Sequence, residues 1–483
     1  MNISEIREKI PDYVMKVADT LIENGFKAYL VGGAVRNILL NCPPKDFDIA
    51  TDALPDQIEK IFPKAININA KFGTIIVVIE SKTGERFDVE VTTFRKEEEY
   101  YGGRWPGRVQ FINDIREDLS RRDFTIDAMA VDLGVLNKHG INMDEVIIDY
   151  FDGKSDLNNK IIRAVGDPVE RFSEDGLRPF RACRIASVYG FTIEENTFSA
   201  MKQTLHISKL VSIERIRDEF LELIYKSPVP SIGIELLRQS GLLALFLPEL
   251  SEMRGIIQPA FHAYDLYTHS IKALDIAEDE IKLAALFHDI GKIKTMTKDK
   301  SGIHFYGHDV EGAKMTESIL NRLRMPKNDI QRVVNLVRWH MFYYPSAEWR
   351  KEYGDVFHLE TKDGGWTDSA VRRFIKKVGE NAIEDLFKLR IADANANPKS
   401  GFEAREIEIF ANRISEVRKQ DMALKVSDLD ISGRDLIEIG IQPGPQMGQI
   451  LNKLLDMVIE EPGMNSKELL LDASKDLLKK GLI

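Results

Sequence analysis

The 483-residue chain carries only two cysteines, Cys42 and Cys183. That is too few for a disulfide framework and excludes the small scaffolds that depend on one. Both fall within motif-bearing stretches, where packing is the expected role. No apolar run reaches the roughly 18 residues that a membrane-spanning helix needs, so no membrane contact is expected. The N-terminal segment, MNISEIREKIPDYVMKVADTLIENG, is a mixed-charge amphipathic helix pattern without the apolar centre of a signal peptide. Repeats and low-complexity tracts are missing too. Nor is there a basic excess. The formal net charge is −11, which argues against a protein that coats nucleic acid unselectively. It leaves room for one that grips a single folded RNA through a local basic face. These absences point to the cytoplasm. Hydrophobic content is ordinary at 43%, and the length allows about three or four domains.

The densest chemical signal is one run, LVGGAVRNILLNCPPKDFDIAT, residues 30–51. A strand pattern (AYLV) enters Gly32-Gly33, a helix pattern follows, and a second strand delivers Asp46 and Asp48. Alternate strand residues point to one side, so the two carboxylates are expected to face one site. Paired oxygen ligands suit Mg²⁺, which keeps waters and takes one or two carboxylates plus substrate phosphates. The glycines let backbone N–H groups approach a triphosphate at a helix start. The run reads as a nucleotidyltransferase active site.

Three further pieces follow in order. Residues 86–95, RFDVEVTTFR, form a strand pattern that presents Glu90 as a third acid, with Asp88 as the competing choice. Residues 121–127 read RRDFTID, and residues 174–184 read EDGLRPFRACR. On a helix, Asp175 and Arg178 would share a face, and Arg181 and Arg184 would continue it.

In this order and spacing the motifs resemble the class II tRNA nucleotidyltransferase and bacterial poly(A) polymerase family, a branch of the polymerase β superfamily. The resemblance implies two metals that activate an attacking 3′-hydroxyl and stabilise the departing pyrophosphate. Asp46 and Asp48 would ligate Mg²⁺. Glu90, in the Val-Glu-Val alternation that the superfamily pattern favours, would position the hydroxyl. Gly32, Gly33 and Arg36 match positions at the triphosphate, and Arg122 and Asp123 match positions near ribose and phosphates. Asp175 and Arg178 would hydrogen-bond the incoming base edge and select C and then A without a nucleic-acid template. A fixed donor fork and a carboxylate acceptor suit that task. Arg181 and Arg184 would hold phosphates or the helix itself.

Two positions depart from the family pattern. Asn37 stands where aspartate is usual, and Asp127 stands where asparagine is usual. If the two side chains touch, they have exchanged roles. Residues 94–111 match in length the family's flexible loop, which CC-adding relatives lack. Gly102-Gly103 there replace a commonly acidic position.

The second half carries a different signal. Of nine histidines, His269, His288, His308 and His340 combine with Asp289 and Asp393 into the series H…HD…H…H…D. Imidazole plus carboxylate prefers a divalent transition metal to Mg²⁺. Centred on FHDIGK, the series resembles an HD-family metal-dependent phosphohydrolase domain. The resemblance implies one metal on His269, His288, Asp289 and Asp393, a second completed by His308 and His340, and Lys292 against phosphate.

The expected architecture is an α/β nucleotidyltransferase head over residues 1–155, followed by a mostly helical remainder. Strands are expected at AYLV, FDIAT, TIIVVIE, RFDVEVTTF and VIIDYF. A helical neck and body for base selection and RNA binding would occupy 156–255, the HD domain 256–400, with ANPKS (396–400) as a linker, and a helical tail 401–483. Gly433, Gly440, Gly444 and Gly448 punctuate that tail. The expected activity is addition of CCA, or its terminal A, to tRNA 3′ ends from CTP and ATP, with HD phosphoester hydrolysis beside it. The alternatives are an A-only enzyme, a poly(A) polymerase, or a phosphohydrolase with a non-catalytic head.

Overall fold

The structure is a computed structural model. It describes residues 2–479 other than 81–83, 103–104, 137, 139–140, 260–261, 301, 343–365, 401–403 and 420–424. The chain divides into two compact units, residues 1–251 and 252–483.

Alternation builds the first unit. In β4 (Thr74–Glu80) and β5 (Arg86–Thr93), Ile75, Val77, Val89 and Val91 are buried, while Asp88 and Glu90 turn to the other face. These two strands join β1 (Tyr29–Val31), β2 (Asp48–Thr51), β3 (Ile66–Asn69), β8 (Met129–Asp132) and β9 (Ile147–Asp149) in a seven-stranded sheet of order β3-β4-β5-β2-β1-β8-β9. The β2–β5 pair is parallel and the other pairs are antiparallel. The five expected strands are present. β3 and β8 went unread because each is short and carries no turn signal of its own. The expected N-terminal helix is two, Ile3–Glu8 and Asp12–Glu23, parted at Pro11. The second buries Val14, Val17, Ala18 and Leu21 at helical spacing.

The 94–111 segment is a hairpin, β6 (Arg95–Tyr101) against β7 (Trp105–Phe111). Helices follow, including Pro168–Glu174, Arg178–Tyr189 and Ile213–Lys226. The mostly helical remainder expected after residue 156 is present, with two small strand pairs beside it. Ile161–Ile162 pairs in parallel with Thr192–Ile193, and Thr297–Asp299 pairs with Gly302–His304. Two- and three-residue strands are too short to show a period.

In the second unit, helices Leu266–Ile276, His308–Arg322 and Ile383–Asn395 carry His269, His308 and Asp393, while His288 and Asp289 follow helix Lys282–Phe287 and His340 follows helix Lys327–Trp339. The expected ANPKS linker is instead packed. Ala396 and Asn397 are buried, and Asn397 Oδ1 accepts the Ala263 N–H at 3.1 Å. The tail has its own core, with Leu436, Ile450, Leu454, Ile459 and Leu470 fully buried.

Candidate active site and metal centre

Register sets the head site. Val31, the last residue of β1, pairs with Asp48, the first of β2, and Asp48 pairs with Glu90 on β5. The glycine turn after Val31 therefore sits beside both carboxylates. Asp46 lies two residues ahead of the strand rather than on it, and is exposed. Loss of water raises the Asp48 pKa, with Asp46 adding to the shift against the pull of Arg122. Glu90 is raised by the same loss of water, by Asp48 and, more weakly, by Asp46. Three acids thus repel one another at one spot, which is the electrostatic condition for binding a cation. Asp88 is taken by Arg86, whose Nε and Nη2 donate to its two oxygens at 2.8 and 3.1 Å. That leaves Glu90 as the available third acid.

Gly32 has φ +71°, and a Cβ there would lie 3.0 Å from Arg122 Nη1. Only glycine gives both the turn and this approach. Arg122 Nε is buried without a hydrogen-bond partner, and Nη2 stands 3.6 Å from Asp118. The guanidinium thus keeps donors to spare beside the turn. Arg36 is placed differently. It is buried, with Nη1 2.6 Å from Asp127 Oδ1, Nε and Nη2 3.2 Å from Asn37 Oδ1, and Nη2 3.1 Å from the Tyr189 hydroxyl. Asn37 and Asp127 share this arginine rather than touching each other. Among the described residues no hydrogen bond joins them, and Asp127 Oδ2 has no partner.

The expectation that Asp175 and Arg178 share a helix is corrected. Asp175 ends helix Pro168–Glu174 in an extended conformation, and the next helix begins at Arg178. The Gly176 that separates them lies so close to Ile207 and Ser208 that a Cβ would clash with their backbone, so the break is built into the packing. Asp175 is gripped through both oxygens by Arg215, at 3.2 and 2.7 Å. Arg178 donates to the carbonyls of Arg171 and Arg121, at 2.7 and 2.9 Å, and to Glu174. Asp123 accepts from Arg181 Nε at 2.6 Å. Burial would raise Asp123, but Arg181 and Arg178 outweigh it and hold the carboxyl down at about 2. Arg184 pairs with Glu219 at 2.6 Å. The arginine stripe is thus a set of ion pairs that fixes the helix against its neighbours. Sequence reasoning missed Arg215, Glu174, Asp118 and Tyr189. Glu174 was visible one residue before Asp175, whereas Arg215 is distant in sequence and carried no motif.

All six expected ligands of the histidine series come together. His269 Nε2 lies 2.9 Å from Asp393 Oδ1 and 3.3 Å from His288 Nε2. His308 and His340 present their Nε2 atoms 3.3 Å apart. Asp289 joins the two groups, with Oδ2 3.3 Å from His288 and Oδ1 3.3 Å from His308 and 3.6 Å from His340. The Nδ1 atoms of His288, His308 and His340 face the carbonyls of Ala285, Phe305 and Val337 at 2.7, 2.8 and 2.7 Å. A carbonyl only accepts, so each Nδ1 bears the hydrogen, and each Nε2, once it gives up any proton of its own, aims a lone pair at the cluster. Paired lone pairs at such spacing repel unless a cation lies among them. The donor set therefore fits metal, in the two groups His269-His288-Asp289 and Asp289-His308-His340.

Burial alone would raise Asp289, but Lys292 and His288 hold it well below the usual carboxylate range. Against burial, Asp289 and Asp393 lift His288 to about 10, so the pull that holds a proton on its Nε2 would equally favour a metal ion in that proton's place. Lys292 Nζ donates to Asp289 at 2.6 Å and to Gln258 at 2.8 Å. The glycine of HDIGK has a steric cause, since a Cβ on Gly291 would lie 2.1 Å from His308 O. Only glycine lets the His308 helix approach Asp289. Asp289, His308 and Asp393 of the cluster line a cavity of about 820 Å³, together with His262, His304, Tyr306 and Arg390. His262, Gln258 and Arg390 were missed, since none stands in a motif.

Comparison with known proteins decides the family. A CCA-adding enzyme of Geobacillus sp. (strain WCH70) is 41% identical over 453 residues, 94% of this chain and 93% of that protein. The chain belongs to the CCA-adding enzymes. A second member, from Lactococcus lactis subsp. cremoris (strain SK11), is 31% identical over 98% of both chains. Family models match as the Poly A polymerase head domain over residues 28–163, and as an HD domain over 262–394. Residues 190–253 match the model described as "Probable RNA and SrmB- binding site of polymerase A". The crystal structure of the Bacillus stearothermophilus CCA-adding enzyme in complex with CTP aligns with TM-score 0.64 and 25% identity, over 96% of this chain and 98% of that one. The Thermotoga maritima CCA-adding enzyme complexed with tRNA shares the fold at TM-score 0.51 and 18% identity. The nucleotidyltransferase and HD domains of this family imply dependence on divalent metal. No helix among the described residues is long and apolar enough to cross a membrane.

Proposed function

We propose that this chain adds C, C and A to the 3′ end of tRNA from CTP and ATP without a nucleic-acid template, in the cytoplasm. One observation carries the reading: the register that sets Asp48 beside Glu90, with Asp46 close by, at the mouth of the Gly32-Gly33 turn. Asp46 and Asp48 would hold Mg²⁺, which would supply positive charge that favours an ionised 3′-hydroxyl and a departing pyrophosphate. Glu90 orients the tRNA hydroxyl. The backbone of the glycine turn and the spare donors of Arg122 receive the triphosphate. Asp175 and Arg178 present acceptor and donors to the base edge, held in place by Arg215 and Glu174. Preorganised groups of this kind discriminate because a wrong base leaves them buried and unpaired.

Incubating tRNA ending before CCA, after C and after CC with each labelled nucleotide tests the reading. C, C and A are expected in turn. Incorporation of A alone would assign the A-only activity, unlimited A a poly(A) polymerase, and no incorporation would end the proposal.

A second activity is supported by the converging Nε2 atoms of the histidine cluster. We propose that the HD domain holds a transition metal and hydrolyses phosphoesters of RNA or nucleotides. Lys292 and Arg390 stand at the cavity to receive phosphate. Phosphate release from cyclic and terminal nucleotide phosphates, assayed with Mn²⁺, Co²⁺, Ni²⁺ and Zn²⁺, tests it. Release with none of these, and no bound metal after reconstitution, would leave the domain a scaffold.

A further inference from the structure

Arg36 follows the glycine turn by three residues, yet its donors face away from solvent. Nη1 meets Asp127 on the turn Thr125–Asp127, Nε and Nη2 meet Asn37 Oδ1, and Nη2 meets the hydroxyl of Tyr189, the last residue of helix Arg178–Tyr189. The guanidinium also lies over the Tyr189 ring, 4.7 Å from its centre. Tyr189 in turn donates to Asn37 Oδ1 at 2.8 Å. One side chain therefore ties the helix Gly33–Leu39 behind the glycine turn to the helix whose other end carries Arg178. The pair is dry: the Arg36 and Asp127 side chains are 9% and 6% exposed.

We propose that Arg36 is a positioning residue that fixes the distance between the triphosphate turn and the base-reading end of helix Arg178–Tyr189. We further propose that it requires one carboxylate, at position 37 or 127. The proposal rests on the nucleotide-adding reading above.

A buried guanidinium needs one negative charge, and a buried pair stripped of one partner is strongly destabilised. Asp127 supplies that charge through a single oxygen, its Oδ2 standing unpartnered. Position 127 thus contributes charge more than geometry. Asn37 Oδ1 already accepts from Nε and Nη2 and from Tyr189. A carboxylate there would keep all three bonds and add the charge. An asparagine at 127 would still offer Oδ1 to Nη1. Carboxylates at both positions would crowd two negative charges round one cation.

The test compares Asp127→Asn, Asn37→Asp and the double variant, at a temperature where all three remain folded. For each, kcat and KM are measured with CTP, ATP and UTP on tRNA ending before CCA and after CC. Asp127→Asn is expected to lower kcat/KM for CTP at least tenfold and to narrow the CTP-to-UTP ratio by a similar factor. The double variant should return both to within about threefold of the native protein. Tyr189→Phe keeps the ring but loses the hydroxyl, and should narrow the ratio by less. A merely structural arginine would lose rate with the ratio unmoved. An unchanged ratio in Asp127→Asn, or a double variant no better than the single, overturns the proposal. Thermal melting separates this from failure of the functional reading. If the native protein adds no nucleotide, the function is wrong. The clamp still stands if the native and double variants melt together above both singles, and falls if they do not.

Discussion

In the head, Asp48 and Glu90 stand on paired strands with Asp46 just ahead of them, and burial raises the pKa of Asp48 and Glu90 above its ordinary value. In the second unit, Asp289 is buried and Asp393 partly buried among histidines, and both are held well below it. The first group is offset only in part, by Arg122 and Arg95, and on the proposed function would be completed by ions that arrive with substrate phosphates. The second is provided with a cation by Lys292 and keeps its ligands fixed through backbone carbonyls. Mg²⁺, reluctant to shed water, suits the open site, whereas a transition metal suits the closed one. Acid count alone does not identify a metal site. What surrounds the acids sets how the ion is held.

The contrast can be broken from either side. The largest effect is expected from Asp48→Ala or Asp46→Ala. Each should lower nucleotide addition by about a thousandfold or more, since ligand loss removes charge stabilisation in the transition state. Binding of tRNA and metal in the HD domain should persist. Single-turnover incorporation with filter binding checks this, and retained turnover refutes the assignment. Next, His288→Ala with Asp289→Ala should abolish transition-metal retention and metal-stimulated phosphoester hydrolysis, while nucleotide addition stays within about twofold. Elemental analysis of the purified chain measures the first, and a collapse of addition would show that the two sites are not separate.

Third, Arg178→Ala should relax discrimination among CTP, ATP and UTP by about 10- to 100-fold while affecting triphosphate affinity less. Equal loss for every nucleotide would make Arg178 a phosphate contact. The smallest effect concerns acid stability. Asp123 is held at about 2 in the folded chain, below its ordinary value near 4. Its pairing therefore stabilises fully above pH 4 and fades as pH falls towards 2. With Arg181 one-third exposed, about 1–2 kcal/mol is reasonable. Asp123→Asn should lower Tm by about 2–6 °C at pH 6, and the gap should close as pH approaches 2. A gap independent of pH would assign the loss to packing.

The sequence carried the parts of both sites that lie in short motifs. Gly32-Gly33, Asp48, Glu90 and all six histidine-series ligands were legible because the chemistry fixes their types and spacing. Asp175 was placed on the wrong element because a three-residue interval fits a helix as well as a turn. The Gly176 contact that decides it comes from residues 207 and 208. Arg36 was read as a phosphate contact by position alone, while Tyr189, which engages it, lies about 150 residues on and carries no motif. The exchange at 37 and 127 was visible, but the arginine between them was not. Partners brought together by tertiary packing leave no local pattern.

One carboxylate serves both halves of the histidine cluster, with a different oxygen toward each. This has a consequence for inheritance. Substitution at His308 or His340 spoils one half and leaves the other with its four ligands, whereas substitution at Asp289 disrupts both at once. Gly291 is equally indivisible, since any larger residue parts the His308 helix from the aspartate. Descendants of this domain that give up its chemistry should therefore tend to shed the HD dipeptide and its following glycine first. The outlying histidines would persist for a time as packed core residues without a shared partner.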